Sequence, residues 1–152
     1  VLERVEPLRA SLTAAVAEDA LAFEAVMAAF KLPKATPEQE NTRQAAIEAA
    51  ILNAARVPLQ VARQLVEVLE LAEQVVQHGN LNAITDGGTG AELARAAFNG
   101  ANMNICINLS GLQDKDSVDQ MTVELQALRA RAEASIQRVR AIVSERGELT
   151  LV

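Results

Sequence analysis

Residues 8–30 read LRASLTAAVAEDALAFEAVMAAF, and the spacing of their apolar side chains decides the fold class. Leu8, Leu12, Val16, Phe23, Val26 and Phe30 recur at steps of three, four or seven, which sets them on one face of an α-helix. Pro33 pushes Leu32 out of the helical region, so the helix has to stop there. Thr36-Pro37-Glu38-Gln39 then starts a second helix. Its threonine hydroxyl caps the first free N–H groups, its proline stands where no donor is needed, and its glutamine closes a capping box. The pattern stays helical to about Gln77, with a kink or short break predicted at Val57-Pro58. His78-Gly79-Asn80 has the chemistry of a helix C-terminus.

Residues 81–90 read as a polar, flexible connection ending in Asp86-Gly87-Gly88-Thr89-Gly90, with a third helix from roughly Thr85 to Asn108. After a turn over Leu109–Lys115, a last helix is predicted with Asp116 as its cap. Val118, Met121, Leu125, Leu128, Ala132, Ile136, Val139 and Val143 form its buried face, and Gly147 ends it. Long helices joined by short turns predict an all-α fold, an antiparallel bundle forming one domain over residues 1–152. The chain begins at Val1, partway into a helical pattern, and a preceding N-terminal segment of the natural protein is expected.

Composition narrows the function classes. Of 152 residues 50% are hydrophobic but only 2% aromatic, and 29 are alanine, a mixture that favours helices and argues against an all-β fold. The formal charge of −6 opposes binding by neutralisation of phosphates, and the lack of Tyr and Trp removes stacking platforms, so nucleic acid is not an expected partner. The single cysteine excludes an internal disulfide, and no apolar run reaches the length of a membrane span; a cytoplasmic location is expected, with no membrane partner. One His and one Cys cannot assemble a zinc site or a Cys–His dyad within the chain, so no metal is expected.

Against this background a few polar residues stand out. Asp19 falls within the apolar series Leu12, Val16, Phe23, Val26, Phe30, where a carboxylate taken out of water would have a raised pKa and serve as an acid or base near neutrality. The alternative is a structural carboxylate bonded to a hydroxyl or an arginine. Lys31 and Lys34, two of only three lysines, flank one turn and suit either an anionic ligand or simple capping of the helix end. Asn104 and Asn108, one helical turn apart in an apolar stretch with Asn102, point to a polar ligand or to interhelical hydrogen bonds. Asp86-Gly87-Gly88-Thr89-Gly90 lacks the spacing of a phosphate-binding loop. Cys106, between Ile105 and Ile107, reads as an inert core thiol.

Taken in order, Asp19-Ala20-Leu21-Ala22-Phe23, Leu32-Pro33-Lys34, Thr36-Pro37-Glu38, Val57-Pro58-Leu59, Gly79-Asn80, Thr85-Asp86, Gly100-Ala101 and Ile107-Asn108-Leu109 resemble the formimidoyltetrahydrofolate cyclodeaminase family. This is the C-terminal domain of formiminotransferase-cyclodeaminase, together with free-standing methenyltetrahydrofolate cyclohydrolases. The resemblance runs from about Asp19 to Asp114. It implies a homodimeric folate enzyme with no cofactor beyond its tetrahydrofolate substrate. The implied activity is cyclodeaminase, converting 5-formimidoyltetrahydrofolate to 5,10-methenyltetrahydrofolate and ammonia; the alternatives are methenyltetrahydrofolate cyclohydrolase or a non-catalytic dimerisation module. The family's aspartate of the Asp-x-x-x-Phe segment falls on Asp19, its Leu-Pro-Lys lysine on Lys34, and its Ser-Asp pair on Thr85-Asp86. By polarity and placement, Lys31, Lys34, Asn80, Asp86, Asn104 and Asn108 are the expected folate contacts. The family's Gly-Gly-Gly-Ser segment is not found in this sequence and is expected upstream of Val1.

Overall fold

The computed structural model describes residues 2–150. Four helices and one short turn account for nearly all of them: α1 Leu2–Phe30, α2 Pro37–His78, a single 3₁₀ turn Leu81–Ala83, α3 Ile84–Leu109 and α4 Lys115–Arg146. No strand occurs among the described residues. At 1.5 Å per residue α2 is roughly 60 Å long, and it is the hub: α1, α3 and α4 all pack on it, and α3 also packs on α4. Contacts between distant residues set the directions. Arg43 of α2 donates to the Phe30 carbonyl and Gln64 to the Ser11 hydroxyl, so α1 runs antiparallel to α2. Asn108 reaches Ala54 while Gly87 lies against Val76, so α3 does too. Ion pairs Arg63–Glu124 and Arg131–Glu70 place α4 parallel to α2.

The ends follow from local chemistry. The Thr36 hydroxyl accepts from the Gln39 N–H at 3.3 Å, and the Gln39 side chain reaches back to the Ala35 N–H at 2.9 Å. α2 ends at His78 with Gly79 as its cap, and the Arg146 guanidinium donates to the Val76 and Gly79 carbonyls there. α4 begins two residues earlier than predicted: Asp114, not Asp116, is the cap, its carboxylate accepting from both the N–H and the hydroxyl of Ser117. Those bonds hold Asp114 below the usual carboxylate range. Glu48 pins the same turn by accepting from the Gln113 and Asp114 N–H groups. The predicted buried face of α4 is observed from Met121 to Val143, with Val118 half-buried.

α3 begins at Ile84, one residue before the start predicted for the third helix, so most of the overlapping stretch 81–90 read as a flexible connection is helix. α3 includes Gly87, Gly88 and Gly90, because close packing compensates for the poor helix propensity of the first two: a Cβ on Gly87 would stand 2.7 Å from Val76, and one on Gly88 would stand 3.2 Å from Val143. The core runs along α2, α3 and α4 through Ala55, Leu59, Ala62, Val66, Leu69, Phe98, Ile105, Ile136 and Val139. Two alanines of α2, Ala55 and Ala62, are completely enclosed, showing how small side chains let the helices close in.

α2 runs without interruption through Pro58. Proline has no N–H, so the Ala54 carbonyl four residues back loses its helical partner. Asn108 of α3 replaces it: its side-chain amide donates to the Ala54 oxygen at 2.9 Å. Removing that donor by Asn108→Ala strands a carbonyl beside buried Pro58 and should cost about 1–3 kcal/mol in urea denaturation. With Pro58→Ala present the backbone supplies its own N–H, and the same change at Asn108 should cost less than about 1 kcal/mol. Equal costs in both backgrounds would contradict this role for Asn108.

Candidate functional site

The site residues expected from sequence fall in two groups along the subunit. Interpolated between the Arg43–Phe30 and Gln64–Ser11 contacts, Asp19 lies level with Ala54 and Ala55 of α2, where Asn108 makes its bond. Asn104 is one turn away on α3, and Lys31 and Lys34 follow the end of α1. These five stand between the middle of α2 and its start. Asn80 and the Thr85-Asp86 pair lie at its far end, where α2 ends and α3 begins. Along α3 the 22 residues from Asp86 to Asn108 span roughly 33 Å.

Asp19 is exposed, which corrects the expectation of a carboxylate buried in its own bundle. The face it shares is turned outward: Val16 is 73% and Phe23 63% exposed, while α1 leans on α2 chiefly through Leu8, Ala22 and Ala29. Any removal of water from Asp19 requires cover from outside the described residues. Lys31 and Lys34 are also exposed. Asn80 is occupied locally, its side-chain oxygen accepting from the Asn82 N–H at 3.0 Å as the cap of the 3₁₀ turn. Asn108 is half-buried and held by Ala54, whereas Asn104 and Asp86 are exposed. Cys106 is exposed as well, with Asn102 3.9 Å from its sulfur, and is no core thiol. Successive helical side chains point about 100° apart, so isoleucines on either side of it say nothing about its own burial.

Two further features were not anticipated. A cleft of about 650 Å³ opens between the start of α3 and the end of α4, lined by Thr85, Thr89, Glu92, Arg140, Val143 and Leu149 among others. Inside it Glu92 bridges two arginines, accepting from Arg140 at 2.7 Å and Arg95 at 3.0 Å. The second is the outward face of α3, where Asp86, Gly90, Leu93, Ala97, Gly100 and Asn104 follow alternating steps of four and three and are all exposed. That spacing was visible in the sequence but masked by glycines, which read first as loop. Among the described residues no three His, Cys, Asp or Glu side chains gather as a metal site would require, and no helix is long and apolar enough to cross a membrane.

The architecture is an all-α domain whose candidate carboxylates, amides and lysines lie mostly exposed along and between its long helices. The chain belongs to the formiminotransferase-cyclodeaminase family, whose model matches residues 1–127. It is 42% identical to a methenyltetrahydrofolate cyclohydrolase of Methylorubrum extorquens over 91% of this chain and 67% of that protein. To the formimidoyltransferase-cyclodeaminase of Rattus norvegicus it is 35% identical over 69% of this chain, spanning only 19% of the longer protein. The crystal structure of a formiminotetrahydrofolate cyclodeaminase from Thermotoga maritima superposes with a TM-score of 0.83 at 29% identity, over 94% of this chain and 67% of that one.

The Arg140 and Arg95 guanidiniums hold Glu92 below the usual carboxylate range, hydrogen bonding from Arg140 being the larger cause. A depressed carboxylate contributes stability above its unfolded value and loses that contribution as pH falls through the folded one. Glu92→Gln should therefore weaken the fold near neutrality and flatten the acid limb below about pH 4.5. The pair is well over a third exposed, so solvent screening limits the effect to about 1 kcal/mol or less. Parallel stability–pH curves for the two proteins would contradict the assignment.

Proposed function

We propose that this chain carries out chemistry at the one-carbon bridge between N5 and N10 of tetrahydrofolate, as a single helical domain working in a homodimer. The observation that carries the proposal is the 42% identity with a methenyltetrahydrofolate cyclohydrolase across two thirds of that protein. It favours hydrolysis of 5,10-methenyltetrahydrofolate to 10-formyltetrahydrofolate. The cyclodeaminase reaction is the second reading, supported by the fold shared with the Thermotoga maritima enzyme.

Both reactions pass through a tetrahedral carbon bonded to N5 and N10, and both need a proton moved. In hydrolysis water adds to the cationic methenyl carbon and gives up a proton. N5 must accept one as its bond to that carbon breaks, and the second proton of the water leaves to solvent. In cyclodeamination N10 attacks the protonated formimidoyl carbon and loses its proton, and the amino nitrogen takes one up before departing as ammonia. Amide ion is too basic to leave unaided. The carboxylate of Asp19 is the proposed relay in either case, receiving a proton in the first step and returning it in the second; such assistance is worth about 10²–10⁴-fold. Lys31 directly follows α1, twelve residues beyond Asp19 and roughly 18 Å from it, a distance suited to holding the anionic glutamate end of a folate whose pterin sits near the carboxylate.

Following the methenyl absorbance with each substrate tests the proposal. Asp19→Asn should lower kcat by about 10²–10⁴-fold with unchanged helical circular dichroism. Unchanged turnover would remove Asp19 from catalysis. Lys31→Ala with Lys34→Ala should raise KM several-fold, about tenfold at most, with a smaller difference at high salt. An unaltered KM would remove the lysines from folate binding.

A further inference from the structure

The turn from α2 to α3 is gripped on both sides by the end of α4. The last carbonyls of a helix lack helical donors, and the fork of an arginine can satisfy two of them at once. Arg146, the last residue of α4, donates to the Val76 carbonyl in the final turn of α2 and to the Gly79 carbonyl just past it. On the other side α4 holds the first turns of α3. Arg140 donates to Glu92 at 2.7 Å, and the Val143 side chain closes against Gly88, where an added Cβ would stand 3.2 Å from it.

The end of α4 is itself braced. Beyond Gly147 the chain hooks back: the Leu149 N–H donates to the Ser144 carbonyl at 3.0 Å, and the Ser144 hydroxyl donates to the Leu149 carbonyl at 2.6 Å. Glu148 makes that reversal with a φ of 53°, a left-handed conformation seldom adopted by residues other than glycine. The hook places Leu149 in the wall of the cleft that Thr85 and Thr89 also line. One helix end therefore ties down both α2 and α3, with only residues 79–83 between them. Asn80 stands in that span and Asp86 in the first turn of α3. Arg140, Val143, Arg146 and Leu149 all lie beyond residue 127, where the match to the family ends.

We infer that Arg146 is a positioning residue for the folate reaction: by holding the end of α2 it fixes the turn on which Asn80 and Asp86 meet the substrate. Its guanidinium is taken up by the two carbonyls, so it acts through the turn. The positioning role rests on the folate reading above; the grip of Arg146 on the turn does not. Arginine suits the task because its planar fork spans two acceptors, whereas a lysine ammonium is a point charge on a flexible stem. Leu59, Val66, Phe98 and Ile105 enclose the core farther along α2 and α3, so loss of the fork frees the turn while the helices stay packed. Binding groups set loose in this way weaken ground state and transition state alike, which raises KM and leaves kcat. A smaller fraction of folded enzyme does the reverse, lowering kcat at constant KM.

Kinetics and hydrogen exchange on the full chain test the inference. Arg146→Met should raise KM by about three- to tenfold, the worth of one hydrogen bond, with kcat within about twofold of wild type. Arg146→Lys should recover part of that loss, because it keeps a positive charge at the end of α2. Asn80→Ala with Asp86→Ala should also raise KM, and adding Arg146→Met to that pair should change KM by less than about twofold. Without folate, exchange of the Gly79 and Ala83 amides, which donate to Val75 and Asn80, should quicken about tenfold or more in Arg146→Met, while amides in the middle of α2 keep their rates. Unchanged exchange at the turn, a fall in kcat at constant KM, or an undiminished effect of Arg146→Met beside the paired variants would overturn the positioning role. If Asn80→Ala with Asp86→Ala leaves KM at the wild-type value, the folate contacts at this turn fall and the positioning role with them, and the exchange rates alone then show Arg146 holding the turn.

Discussion

A missing backbone donor organises much of this subunit. Pro58 lies in the middle of the longest helix, the one on which the other three pack, and it leaves the Ala54 carbonyl without its helical partner. Asn108 supplies the donor from α3. An unsatisfied buried carbonyl costs about 1–3 kcal/mol, a large share of the 5–15 kcal/mol that holds a domain folded. The bond ties the C-terminal half of α3 to a definite level of α2. It thereby also sets where Asn104 and the outward seam of α3 stand relative to Asp19.

The helices themselves were legible because caps and periodicity are local. Thr36, Pro37 and Gln39 announce the start of α2, and the apolar series from Met121 to Val143 marks the face that α4 buries. Burial at Asp19 and Cys106 was not legible. Spacing reveals which side chains share a helical face, but whether that face meets its own chain, another chain or water depends on packing. Val16, Asp19 and Phe23 share a face as expected, yet that face is open in the subunit. The glycines from Gly87 to Gly90 misled for a related reason: their propensity favours a loop, and contacts with Val76 and Val143, distant in sequence, override it.

The same limit explains why the sequence names candidate site residues but not where in the fold they stand. Asp19, Asn104 and Asn108 come level with the middle of α2 through the antiparallel course of α1 and α3 along it, and Asp86 is carried to the end of α2 by the length of α3.

The carbonyl carbon shift of Ala54, read by nuclear magnetic resonance, probes the bond at Pro58 most directly. With Asn108 donating to it, Ala54 should resonate as a hydrogen-bonded helical carbonyl, and Asn108→Ala should move it upfield while carbonyls a turn away keep their shifts. An Ala54 shift that is the same in both proteins would contradict a carbonyl that takes its donor from α3.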